Sequence, residues 1–107
     1  MSTRNRSNPY QTQAVLSASP EQLVVKLYDL GIGACHRDDR YKLRAVLKEL
    51  ISSLDLDKGG ELAGRLYALY VFCMEQSTDG DLQAVADLLE GLREAFREVA
   101  AQSARAA

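Results

Sequence analysis

Proline is confined to Pro9 and Pro20, and none occurs from Glu21 to Ala107. Proline inside a helix removes a hydrogen bond and clashes with the preceding turn, so a long proline-free stretch rich in Leu and Ala can be helical throughout. Breaks within it must then come from glycine pairs and capping side chains, and these divide the chain into four segments.

Ser19, Pro20 and Gln22 form a start signal: a capping hydroxyl, a proline at the first helical position and a Gln placed to close a capping box. The first helix is expected to run to about Ala34 along Leu23, Leu27, Leu30 and Ala34, loosened at its end by Gly31 and Gly33. Asp38 or Asp39 caps the second, whose Leu43, Leu47, Leu50 and Leu54 form a bundle-type seam. Asp55 to Gly60 (DLDKGG) breaks it. The third carries two stripes, Leu62, Leu66, Leu69, Cys73 and, beside it, Ala63, Tyr67, Tyr70, Met74. Thr78 to Asp81 reads as a turn with a Thr-x-x-Asp capping box, followed by Leu82, Val85, Leu89, Leu92, Phe96 and Val99 in steps of three and four. Amphipathic helices on short connections bury their seams on antiparallel neighbours. The expected fold is therefore all-α: an up-down four-helix bundle over residues 19–107, preceded by a mobile N-terminal arm over residues 1–18.

Composition narrows the function. With 107 residues, 13 basic against 15 acidic side chains and a formal net charge of -2, the chain lacks the positive field that holds a phosphate backbone, so nucleic acid is not an expected partner. No apolar run approaches the roughly 20 residues that cross a bilayer, and the polar start from Met1 to Pro9 has no apolar stretch behind it. Neither membrane insertion nor a cleaved signal is expected, which suits the cytoplasm. Cys35 and Cys73 have no CxxC spacing and suit reduced thiols, Cys73 packed on a seam and Cys35 more reactive near a helix end.

Catalytic chemistry has no candidate. His36 is the single histidine, and with Cys35 adjacent to it the two cannot both point into one helix core to share a metal with Cys73. It reads as a solvated histidine at a helix end. There is no phosphate loop or nucleophile elbow, and Asp55, Asp57, Glu61, Asp79 and Asp81 stand where loops and helix starts use carboxylates. No enzyme activity, cofactor or metal is expected. What exceeds the needs of a lone bundle is apolar surface: Tyr10, Val15 and Leu16 lie ahead of the first cap, and Tyr67, Tyr70 and Phe72 occupy more than one face of the third helix. Either the arm covers this surface or a partner does.

Asn8-Pro9-Tyr10, Gln13 to Pro20 (QAVLSASP), Glu21 to Asp29 (EQLVVKLYD), Ser52 to Glu61 (SSLDLDKGGE), Leu66 to Met74 (LYALYVFCM) and Leu89 to Val99 (LEGLREAFREV), in this order, resemble the flagellin-specific export chaperones, the FliS family. The resemblance implies a small antiparallel bundle that binds the disordered C-terminal segment of flagellin in the cytoplasm, prevents early polymerisation and delivers it to the flagellar export apparatus. Such recognition lays amphipathic client segments into apolar grooves. The residues it points to for arm and client contacts are Tyr10, Leu16, Leu23, Leu27, Tyr28, Tyr67 and Tyr70. The chain departs from the family between Ile32 and Ala45, where it is several turns shorter, at Phe96 in place of a common tryptophan, and in the arm, where either Gln13 replaces a second tyrosine or Tyr10 is itself that second tyrosine on a shorter arm. The alternative is a divergent member that acts as a regulatory or self-associating protein with a different client, its extra stripe on the third helix closing a homodimer.

Overall fold

Three of the four helices start where a side chain, Ser19, Asp39 or Asp81, accepts from the free amides of the first turn, and the third in order starts at a glycine pair without such a cap. The computed structural model describes residues 19–106, with side chains to residue 102. Four helices follow in order: α1 (Pro20–His36), α2 (Arg40–Ser52), α3 (Gly60–Asp79) and α4 (Leu82–Ala106). No strand occurs among the described residues, so the fold is the all-α four-helix bundle that the sequence predicts.

The Ser19 hydroxyl accepts from the Gln22 amide at 3.1 Å and the Gln22 side chain accepts from the Ser19 amide at 2.8 Å, closing the expected box. α1 continues two residues past Ala34 and turns within Arg37 to Asp39, where Asp38 takes a positive φ of 55°. Of the two aspartates, Asp39 is the cap, accepting from Lys42 N at 3.0 Å. The α2–α3 connection is held by Asp55, whose carboxylate accepts from the amides of Asp57 and Lys58. It ends in two glycines with separate reasons. Gly60 has φ 63°, and a Cβ at Gly59 would lie 2.6 Å from the Asp55 carbonyl oxygen.

The Thr-x-x-Asp box is not formed. α3 runs on through Thr78, the chain breaks at Gly80, and Asp81 alone caps α4, accepting from the amides of Gln83 and Ala84. Within the helix the Thr78 hydroxyl accepts from Arg44 of α2 at 3.1 Å.

Around the bundle the order is α4, α1, α2, α3. The contact between α1 and α4 is the most extensive, and that between α3 and α4 the least. α1 and α3 are therefore diagonal. The α2 seam is the clearest agreement with the sequence: Leu43, Leu47 and Leu50 are fully buried and Leu54 packs against the core. The α1 stripe is a correction. Leu23 and Leu30 are exposed, while Tyr28, Gly31, Ile32 and Cys35 face inward together with Ala34. The reason lies at Gly31, where an added Cβ would stand 3.0 Å from Leu89 Cδ1 and 3.4 Å from Val46 Cγ1. The absent side chain lets α2 and α4 close on α1, and so turns that face toward the core. In α3 the buried line is Ala63, Leu66, Tyr70, Cys73 and Ser77, drawn from both expected stripes, with Leu62 and Tyr67 left outside. Val99, the last member of the α4 seam, is exposed.

Candidate functional site

At the centre of the bundle Tyr28 of α1 meets Tyr70 of α3 across the diagonal, hydroxyl to hydroxyl at 2.6 Å. Their exposures are 0% and 2%. Phe96 of α4 stands edge-on to Tyr28, ring centres 5.8 Å apart. Burial raises both phenols above the ordinary tyrosine range; the bond between them adds to the rise at Tyr28 and opposes it at Tyr70. Two of the sequence-predicted contact residues, Tyr28 and Tyr70, are thus internal. They fill the core and offer no surface to a partner in this conformation.

The pair also marks a level that divides the bundle. On the side of the α1 C-terminus the core is dense, with Ile32, Cys35, Leu43, Val46, Cys73, Ser77, Leu82, Val85 and Leu89 all buried. Burial pushes the Cys73 thiol up to about 11. It also raises Cys35, partly opposed by Arg40. Cys35 is not at a frayed end, because its carbonyl accepts from the Asp38 amide and α1 continues past it. Two arginines close this end: Arg40 donates to the carbonyls of Gln76 and Gly80 at 3.2 and 3.0 Å, and Arg44 donates to Met74 O, Ser77 Oγ and Thr78 Oγ1 at 3.2, 2.9 and 3.1 Å. They tie α2 to the last turns of α3, where Gln76 O also accepts from the Gly80 amide and Met74 O from the Ser77 hydroxyl. No hydrophobic pattern signals this role, since it joins residues 30 to 40 positions apart.

On the other side, where α1 and α3 begin and α4 ends, the packing is thin. No residue of α1 before Tyr28 is buried, and α3 contributes only Ala63 and Leu66. Large apolar side chains stand in solvent here, Leu23 39% exposed, Leu62 61%, Tyr67 43% and Val99 43%, with Leu56 in the adjoining loop; on the other half Leu30, Tyr41 and Phe72 are exposed as well. Of the predicted contact residues, Leu23, Leu27 and Tyr67 belong to this end, Leu27 half-buried against the core. Tyr10 and Leu16 lie outside the described residues. Sequence reasoning passed over Leu62 and Val99 by assigning them to seams; their nearness to helix ends was the available signal.

The arrangement is suited to apolar contact. Among the described residues no group of three or more His, Cys, Asp or Glu side chains is placed to hold a metal ion, and no helix is long and apolar enough to cross a membrane. His36 is exposed, its nearest acidic partner being Glu90 at 3.9 Å. Asp29 and Arg93 pair at 2.8 Å between α1 and α4.

Compared with known proteins, residues 2–103 match the family of the flagellar protein FliS. The chain is similar to the flagellar secretion chaperone FliS of Campylobacter jejuni subsp. jejuni serotype O:6, with 28% identity over 113 residues, covering 86% of this chain and 88% of the relative. The alignment is longer than the part of this chain it covers, so the relative carries residues that this chain lacks. No solved structure matches.

Proposed function

Because the chain belongs to the FliS family of flagellar proteins, we propose that it is a cytoplasmic secretion chaperone that holds the disordered C-terminal segment of flagellin, keeps it from polymerising and hands it to the export apparatus. It acts by binding, without chemistry. The observation that carries this reading is the apolar end of the bundle, where Leu23, Leu62, Tyr67 and Val99 are exposed around a thin core. A lone bundle gains nothing from leaving such side chains in water, each worth roughly 1.5–3 kcal/mol when fully buried. An amphipathic client helix laid across them would bury them and its own apolar face together. The client is unfolded beforehand, so part of that gain offsets the cost of ordering it.

Leu23, Leu27 and Tyr67 are the contacts assigned on this surface, with Leu62 and Val99 added to them. Tyr10 and Leu16 are assigned to arm and client contacts by the motif that contains them. Tyr28 and Tyr70 support the surface from beneath. Titration calorimetry with a flagellin C-terminal segment tests the reading. Saturable binding that Leu62→Glu and Tyr67→Glu weaken at least tenfold, with the fold intact by circular dichroism, is the expected result. No binding by the unaltered chain, combined with concentration-dependent dimerisation in light scattering that the same substitutions abolish, would favour self-association instead.

A further inference from the structure

We propose that α3 is a hinged element, clasped at its C-terminal end by Arg40 and Arg44 and free to release its N-terminal half, residues 60–69, from the bundle while the rest stays folded. The polar ties of α3 to other helices among the described residues fall at Tyr70 or beyond it: the Tyr28 hydroxyl at the middle, then the five arginine bonds to residues 74–80. Among the described residues none reaches residues 60–69 from another element; the one ion pair there, Glu61 with Arg65 at 3.8 Å, is internal to the helix. The buried side chains of the N-terminal half are, among the described residues, Ala63 and Leu66, with Leu69 half-buried and Leu62 and Tyr67 in solvent.

Its start is tied within the connecting loop, where the Gly59 amide donates to the Asp55 carbonyl at 2.7 Å. Gly59 makes no side-chain cap, and Gly60 at φ 63° joins it to an exposed loop, a pair of residues able to absorb a change of direction. Of the two helices that flank it, α2 and α4, α3 has the thinner contact with α4. Local opening follows such unevenness in buried contacts. The free energy needed to free residues 60–69 is a fraction of that for global unfolding, because the dense core and the clasp are untouched.

Released, this half exposes the inner faces of Ala63 and Leu66, enlarging the apolar end. This deepens the chaperone reading and rests on it for the use of the opening. The opening itself belongs to the free chain, so its test contains no flagellin, and either idea can fail without the other.

The test places a thiol beneath each half of the helix. In an Ala63→Cys, Cys35→Ala chain, labelling under native conditions is followed at residue 63 and at native Cys73 by mass spectrometry. The expected result is labelling at 63 at least tenfold faster than at 73, and Arg44→Ala bringing the rate at 73 up toward that at 63. Equal slow rates at both positions, tracking global unfolding, would overturn the hinge. If Ala63→Cys does not fold, amide exchange in the unaltered chain decides. Amides 66–69, beyond the reach of first-turn fraying, should exchange at least tenfold faster than 73–77, and equal protection would overturn the proposal.

Discussion

The Tyr28–Tyr70 pair offers a stability measurement whose outcome the geometry fixes in sign and shape. Changing Tyr28 to Phe keeps the ring and its edge contact with Phe96 but removes one of two hydroxyls that meet at 2.6 Å inside the bundle. The Tyr70 hydroxyl is left at 2% exposure without its partner. A buried polar group stranded in this way costs about 1–3 kcal/mol, and Tyr70→Phe strands the Tyr28 hydroxyl at similar cost. In the double variant nothing polar remains to strand, so stability should return to within about 1 kcal/mol of the starting protein. Coupling of about 1–6 kcal/mol in urea melts, the two single losses less that of the double variant, is the expected result, readable against a total that is typically about 5–15 kcal/mol. If the double variant loses the sum of the two single losses, the hydroxyls do not satisfy one another and the central assignment is wrong. The same cycle has an alkaline signature. Both phenols ionise at higher pH in the folded state than in the unfolded chain. Their contribution is whole below the ordinary tyrosine value of about 10 and is lost as pH rises above it. The double Phe variant should therefore lose less stability than the parent above about pH 10.

Gly64 and Gly91 lie within helices with open space where a Cβ would sit, so Gly64→Ala and Gly91→Ala should each stabilise by about 0.4–1 kcal/mol in denaturant melts, and a loss at either would reveal a contact the structure lacks. Cys73 is fully buried with its thiol pushed up to about 11, and Cys35 is buried beside it in the same core. Both should react slowly with a thiol reagent at neutral pH and quickly in denaturant, and fast labelling of Cys35 alone would mean that the end of α1 opens. Flagellin binding by an apolar end should change less than tenfold when salt is raised to about 0.5 M, since exposed charges are screened and apolar burial is not; a steeper loss in calorimetry would assign binding to charge.

Local chemistry carried the outline of this bundle. Ser19 with Gln22 and Asp39 with Lys42 act over three residues, and the glycines before α3 set a break by their own backbone freedom, so their effects are the same in an isolated chain as in the fold. The α2 seam was equally legible because α2 has one apolar face and therefore one way to turn. α1 and α3 are apolar on more than one side, and there periodicity leaves the choice of inner face open. Packing made that choice, through the close approach at Gly31 and the meeting of Tyr28 with Tyr70 across the diagonal. It placed two tyrosines expected at the surface in the core and left Leu23, Leu62 and Val99, expected on seams, in water. The arginine clasp and the thin opposite end have no sequence pattern, because both depend on which distant residues the bundle brings together: a donor on α2 opposite the carbonyl end of α3, and helix ends that outrun the shared core.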